Sequence, residues 1–500
     1  MSHRINFEKI TFKGLSSAGF LAGIMAMSGF SQTFTGIDHM TLMSNFKHPG
    51  TTGLNHSAGI WGHTTASGKE FAVYTNRNPG GVEFVDITNP ATPTAVNFIS
   101  SQNNSIWQEV DCFKTTCYKV SEQGTTGIQI INIAPLNTGA PATLSKSMLC
   151  HGMTQSHTVF SDTTGYNGVP RLYATCGGTT GTAIYTLADP LNPVEVGWIS
   201  GETHDIHARG KYLFTCKQRQ GIIRIYDVSN PGSPTTLSTI TLNGGATTIS
   251  HNAALSMDGK LLFATEEETG RPITVWDVSN IAAPKMYTGG PGGRNEYGGP
   301  AGVRDAYGKN ISANVGQTIV HNVFTFGKYM WVAYYTGGAH MVNIDTKDTA
   351  AWLRDVGFHD PAAQPPTGTG LYGGTWGTYN WFPSHNFIHG TDNGGLYVLK
   401  PDASIADPWS TGVSVKTDGI AHPEFFVSSM NRNAISFQLP QAGAYVLSII
   451  SPSGREVFSQ RNEGTSGMQS LHLNNLGNGA FIARLQQGNT VRSSTVISKN

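Results

Sequence analysis

A short strand pattern returns along this chain, and its return restricts the fold more than any other feature. The pattern is a glycine, an apolar alternation, and then Asp or Asn. It is read at Gly81-Val-Glu-Phe-Val-Asp86, Gly127-Ile-Gln-Ile-Ile-Asn132, Thr182-Ala-Ile-Tyr-Thr-Leu187, Gly221 to Asp227, Pro272 to Asp277, Gly338 to Asp345 and Gly395 to Leu399. Several copies run into an Asn-Pro-x-x-Pro type of turn: Asn89 to Pro93, Asp189 to Pro193 and Asn230 to Pro234. Proline cannot donate to a sheet ladder, so these turns end one strand and redirect the chain. Another apolar strand follows, such as Val194 to Ser200 or Thr235 to Leu242.

Two further strands precede each copy. In the fourth unit they are His204-Asp-Ile-His-Ala and Lys211 to Cys216. In the fifth they are His251-Asn-Ala-Ala-Leu and Leu261 to Thr265. Four short antiparallel strands per unit describe a propeller blade rather than a sandwich. The period-2 alternation excludes a helical solenoid. The fold class expected is all-β: a seven-bladed β-propeller over residues 38–400, then a small Ig-like β-sandwich. The last blade lacks an outer strand of its own, so Met40 to Phe46 is expected to pair with Gly395 to Leu399 and close the ring. The Gly-rich insertion from Tyr287 to Tyr307 is read as a surface loop.

A histidine keeps register with the units, in Ser156-His157-Thr158, Thr203-His204-Asp205, Ser250-His251-Asn252 and Val320-His321-Asn322. The first strand of a blade lines the central channel. These four imidazoles are therefore expected in an arc at one channel mouth, facing second-to-third-strand loops that carry Glu122, Glu266-Glu267-Glu268 and Asp392. Asp205 stands next to His204. Neutral imidazoles with carboxylates suit Zn²⁺, Cu²⁺ or, with more oxygen ligands, Ca²⁺. A structural reading competes: the ring nitrogens bond backbone groups of the neighbouring blade. On that reading Trp107, with Trp61 and Trp381, fills the equivalent places in other blades. His63 and His207 read as satisfied strand residues, while His385 and His389 fall near the last blade's turn and second strand.

Charged residues make up 13% of the chain, 32 basic against 32 acidic, which offers no electrostatic footprint for nucleic acid. Arg4, Lys9 and Lys13 precede an apolar stretch from Leu15 to Phe30, with small residues near Ser28 to Ser31; residues 1–31 read as a secretory signal peptide. That stretch is too short and interrupted for a membrane span, and no transmembrane span is expected in the mature chain. Export permits disulfides among Cys112, Cys117, Cys150, Cys176 and Cys216. Cys112 and Cys117 bracket a hairpin turn and are the candidate pair; the odd count leaves a free thiol, expected to be buried. Walker A, HExxH and GxSxG motifs do not occur.

From about Phe425 the repeat stops, after a linker over 401–424. Ala434 to Pro440, Ala444 to Ile450, Gly454 to Phe458, Ser470 to Leu473, Gly479 to Leu485 and Ser493 to Ser498 form a compact run of alternating strands.

Both regions resemble known families. The stretches Ile60-Trp61-Gly62, Gly81 to Pro93, Trp107-Gln-Glu, Gly127-Ile-Gln and Gly394-Gly-Leu-Tyr-Val resemble LVIVD-repeat proteins of the choice-of-anchor B type. Residues 425–500 resemble a type IX secretion (T9SS type A) sorting domain through Phe437-x-Leu-Pro, Tyr445-x-Leu-x-Ile, Gly454-Arg, Leu473-x-x-Leu476 and Lys499. Gly479-Ala-Phe stands there in place of the more usual Gly-x-Tyr. The resemblance implies export through the type IX machinery of a two-membrane bacterium, with the protein secreted or held at the outer-membrane surface. The function expected is a binding module for an unknown extracellular ligand. The alternative is a metal-dependent enzyme centred on the histidines.

Overall fold

The computed structural model describes residues 36–49, 57–402 and 427–498, with short breaks inside the second and third spans, the longest at 362–372. The signal-peptide reading, the 403–426 part of the linker and Asp392 lie outside the described residues. The described chain is all-β with no α-helix.

Between Gly36 and Pro401 the chain forms seven antiparallel sheets of four or five strands and one two-stranded ribbon. Their innermost strands, in order, are Ile60–Thr64, Gln108–Phe113, Ser156–Tyr166, Asp205–Arg209, Ser250–Leu255, Val320–Phe326 and Thr375–Tyr379. Each touches the next in this order, and the last touches the first. A ring of radially stacked sheets is a β-propeller. The glycine-led segments are the third strands: Gly81–Asp86, Ile128–Asn132, Gly181–Thr186, Ile222–Asp227, Pro272–Asp277, Gly338–Asn343 and Gly395–Pro401.

Each sheet is buried on both faces, which explains why strands such as Glu70–Asn76 are buried at every residue. Alternate side chains serve alternate neighbours. Phe214 and Cys216 of sheet 4 pack with Ala253 and Leu262 of sheet 5. Leu213 and Tyr226 of sheet 4 turn the other way, onto Tyr173 and Ile184 of sheet 3. The same holds where the chain meets itself, with Tyr379 and Ile388 of sheet 7 against Ala72 and Tyr74 of sheet 1. Met40–Phe46 is the outer strand of sheet 7, in register from Met40↔Pro401 to Phe46↔Leu396. Gly36–Asp38 extends sheet 6 by pairing with Arg354–Asp360. The two N-terminal strands thus tie the last two sheets to the start of the chain and cover the edges that Arg354–Asp360 and Gly395–Pro401 would otherwise present.

The 287–307 insertion differs from the surface loop expected of it. Its Glu296–Gly298 strand pairs with Pro272–Asp277, where the outer strand Lys285–Met286 is only two residues long. Tyr297 is buried between sheets 5 and 6, with its hydroxyl 2.9 Å from both oxygens of Asp355. A short outer strand leaves ladder groups open, and the insertion fills them.

Disulfides join Cys112 to Cys117 and Cys150 to Cys176, while Cys216 is a buried thiol. The C-terminal residues form a three-stranded and a four-stranded sheet around one core that includes Ile435, Phe437, Leu447, Ile449, Phe481 and Leu485.

Candidate functional site

The histidines begin as backbone irregularities. Register shifts interrupt the first ladder between Ser156 and Val159, Ser250 and Ala253, and Val320 and Val323, with a related shift between Thr375 and Gly377. An extra residue re-aims side chains and leaves amides without ladder partners. A threonine on the second strand accepts those amides. Thr175 Oγ1 takes His157 N at 3.2 Å and Thr158 N at 2.8 Å, and Thr265 Oγ1 takes Asn252 N at 3.0 Å. The Ser-His-Thr and Ser-His-Asn triplets of the sequence are these bulges.

The re-aimed rings form an unbroken arc. Centroids are 4.1 Å apart for His157–His204, 4.5 Å for His204–His251, 4.4 Å for His251–His321 and 4.4 Å for His321–Trp376. All four histidines are buried. The arc is therefore a packed layer and not an open rim. Its Nδ1 atoms reach across the sheet boundaries: His251 Nδ1 lies 3.0 Å from the His321 carbonyl, and His321 Nδ1 lies 2.5 Å from the Trp376 carbonyl. His204 Nδ1 faces the His251 backbone without closing a hydrogen bond. Backbone carbonyls only accept, so the Nδ1 atoms of His251 and His321 carry the proton and their Nε2 atoms carry the lone pair.

Trp376 ends the arc, a correction to the tryptophans expected there. Trp107 is 39% exposed, and Trp61 and Trp381 pack together in an aromatic cluster away from the arc. The signal for Trp376 was present in Thr375-Trp376-Gly377, which stands where Thr203-His204-Asp205 stands in its own sheet. Trp376 Nε1 donates to Glu109 Oε1 at 2.7 Å, which carries the arc on into sheet 2.

The acidic loops meet the arc at two points. Glu122 Oε1 lies 2.8 Å from His157 Nδ1. Burial opposes charge on His157, but the Glu122 carboxylate outweighs it and holds the imidazole above its ordinary range. Burial, with the neighbouring rings, pushes His204 and His321 well below theirs. Within the Glu266-Glu267-Glu268 run it is Glu267 that reaches the arc: its Oε2 is 3.6 Å from His251 Nε2, and its Oε1 accepts from the Tyr335 hydroxyl at 2.6 Å. Glu266 turns away to Thr248. The difference follows from the strand end, where Glu266 still belongs to Leu261–Glu266 and Glu267 is turned by its N–H bonding to Ile249 O. His204, His251 and Glu267 offer ligand atoms that all lie within 4.8 Å of one another.

Beyond the arc, a cavity of about 310 Å³ follows the innermost strands from Thr158, Asp205, Asn252 and Asn322 towards Phe113, Arg209 and Phe326. Asn252 braces it, donating to Asp205 Oδ2 at 2.8 Å and accepting from Val323 N at 3.1 Å. One wall is aromatic: Trp61, Phe324, Tyr379 and Trp381 meet with centroids 5.1–6.4 Å apart. Glu109, Asp111 and Asp205 also line it. Burial pushes Glu109 and Asp111 up to about 7 and raises Asp205. Among the described residues none of the three pairs with a lysine or arginine. His63 and His207 line the cavity too, and burial lowers both. Phe481 and Ile482 of the C-terminal strands border it. His389 lies elsewhere, buried against His359 with their ring nitrogens 2.7 Å apart, and His385 sits in a turn with φ 65°.

The LVIVD repeat family matches residues 200–241, which span the fourth sheet. No curated protein sequence matches the chain. Among solved structures, the β-propeller domain of Cps50 (Swd1) from Myceliophteria thermophila is similar at 10% identity, covering 72% of this chain and 99% of that one, with a TM-score of 0.47. U3-55K is similar at 8% identity over 72% and 98% of the two chains, TM-score 0.45. A protein from Lactobacillus plantarum is similar at 14% identity over 61% and 85%, TM-score 0.44. Likenesses this distant carry no functional inference.

Proposed function

We propose that this chain is an exported binding module: a seven-bladed propeller whose central cavity takes a cationic group of an extracellular ligand, followed by an Ig-like sandwich that serves the type IX secretion machinery. The cavity carries the reading. Three carboxylates have been taken out of water without a lysine or arginine partner among the described residues, and an aromatic wall stands beside them. Burying a carboxylate is costly unless it is paired, so a cation entering this space is bound by groups whose desolvation has already been met by folding. Aromatic faces add attraction for ammonium and guanidinium groups. A lysine or arginine side chain of a peptide, or a small amine, fits both the volume and the charge.

Export is supported by the basic-apolar leader, by two disulfides in so weakly charged a chain, and by the strand run of the tail. Among the described residues no helix is long and apolar enough to cross a membrane. The binding test is calorimetric titration of lysine- and arginine-containing peptides, with their glutamine counterparts as controls. Saturable binding lost in Glu109→Gln supports the cavity; equal binding of basic and neutral peptides, or of wild type and variant, rules it out. The export test is fractionation: a chain truncated before residue 425 should remain inside the outer membrane of its host.

A further inference from the structure

Two ligand atoms face each other inside the histidine arc. His251 Nδ1 bonds the His321 carbonyl at 3.0 Å, which leaves Nε2 as the nitrogen open to a metal. The atom opposite that nitrogen is Glu267 Oε2, 3.6 Å away, and both side chains are buried. An imidazole nitrogen and a carboxylate oxygen held that close away from water are a ready pair of ligands for one cation.

We propose that the cation is a divalent metal of the zinc type, held by His204, His251 and Glu267. This inference stands apart from the cavity reading and uses other residues. The three ligand atoms lie within 4.8 Å of one another. A tetrahedral zinc ion with bonds of about 2.0–2.1 Å sets its ligands roughly 3.3 Å apart, so the 3.6 Å His251–Glu267 separation is already close and His204 closes the remainder by a small ring shift. Two imidazoles and one carboxylate suit zinc; calcium asks for about six to eight oxygens, which this site does not supply. The supporting contacts are those a metal site needs. The His321 carbonyl fixes the His251 tautomer, and the Tyr335 hydroxyl, 2.6 Å from Glu267 Oε1, leaves Oε2 for the metal. Three protein ligands leave one position for water or a ligand atom.

The other two histidines stand outside the group whose ligand atoms all lie within 4.8 Å of one another, and His157 is turned to Glu122 at 2.8 Å. The site is therefore a pair of histidines with Glu267, not a set of four histidines.

The test uses the full chain and Zn²⁺ alone. Protein stripped with chelator is loaded with Zn²⁺, desalted and measured for retained metal, and Co²⁺ loading is followed by its visible absorption. Wild type should retain a single ion and give the intense bands of tetrahedral Co²⁺. Glu267→Gln keeps an oxygen for Tyr335, so it should fold, as its circular dichroism will check, and should bind at least about tenfold more weakly. His204→Gln should do the same, and His157→Gln should bind as wild type does. No retained ion in wild type overturns the proposal, as does equal retention by Glu267→Gln and wild type. Loss of the ion in His157→Gln overturns the assignment of ligands.

Discussion

Sheets 3 to 6 and sheets 7, 1 and 2 build the same ring with different inner layers. The first group places His157, His204, His251 and His321 at its inner strand starts, with His157, His251 and His321 on bulges. The second places Trp376, Ala58 and Glu109 at the corresponding strand starts. In the histidine half, His251 and His321 are each held by the next sheet's carbonyl and His157 by a loop carboxylate, and the rings pack against one another from sheet to sheet. In the other half nothing repeats. Trp376 packs with Ala58, Ile319 and Tyr335 and holds Glu109 with its indole N–H. Repetition lets one solution serve several positions. Its interruption puts a buried carboxylate beside the cavity.

Trp376→Ala breaks this contrast most severely. It removes a ring that packs on His321 and Tyr335 and strips Glu109 of its donor. A loss of about 3–5 kcal/mol is expected from the void alone, measured by urea unfolding. A loss below about 1 kcal/mol would mean that the arc closes without its tryptophan, and that the halves are less different than their contacts imply.

Thr265→Val tests the histidine half. Thr265 Oγ1 accepts Asn252 N at 3.0 Å and donates to the His321 carbonyl at 3.1 Å, so one hydroxyl supports both the bulge and the next sheet. Valine keeps the shape, leaves Asn252 N without its acceptor and takes one of two donors from the His321 carbonyl, which keeps His251 Nδ1, for an expected loss of about 1–3 kcal/mol. The same change at Thr175, which serves His157 N and Thr158 N, should cost a similar amount if the bulges are equivalent.

Much of this ring was legible in sequence and the inner layer only partly. Third strands announce themselves because both faces are buried and a turn follows, so glycine, alternation and Asp recur in fixed order. Met40–Phe46 was legible as a missing outer strand. The bulge was visible only as a repeated His-Asx, and strand spacing cannot show which way an extra residue aims its ring. That is why Trp107 stood in for Trp376, and why the run Glu266-Glu267-Glu268 did not say which glutamate reaches the arc. Cys150–Cys176 was hidden because its partners lie on separate segments, while Cys112–Cys117 spans a single hairpin. The cavity was the least legible feature. It is assembled from the inner strands of all seven sheets, and no local pattern marks a shared space.

Asp111→Asn probes the cavity carboxylates with a pH dependence of known sign. Burial raises Asp111 to about 7 in the folded chain, whereas in the unfolded chain it titrates near about 4. Between those values the folded state binds the extra proton, so wild type loses this share of stability as pH rises from about 4 to about 7. Asparagine does not titrate and can still accept from Ser161 N. Denaturation midpoints should therefore agree near pH 4 and diverge upward, with the variant the more stable at pH 8. A variant less stable at pH 8 would show that the charge already has a partner, and the cationic-ligand reading would lose its basis.

Glu122→Gln is expected to have the smallest effect and sharpens the contrast from the histidine side. The Glu122 side chain is 26% exposed while His157 is 7% exposed, so water already screens one end of the contact. A pair screened at one end is expected to contribute about 1 kcal/mol, the top of the range for exposed pairs, and the amide still offers an oxygen to the imidazole. Behind His157 the arc is held by contacts that the substitution does not touch: the carbonyl bonds of His251 and His321, and the Thr158 hydroxyl on the His204 carbonyl at 3.0 Å. Urea unfolding should shift by less than about 1 kcal/mol, and added salt should shrink the difference further. A loss of about 2 kcal/mol or more would mean that charge at the first ring organises the rest. The histidine half would then be a graded electrostatic chain, and its three bulges would no longer be equivalent copies of one backbone solution.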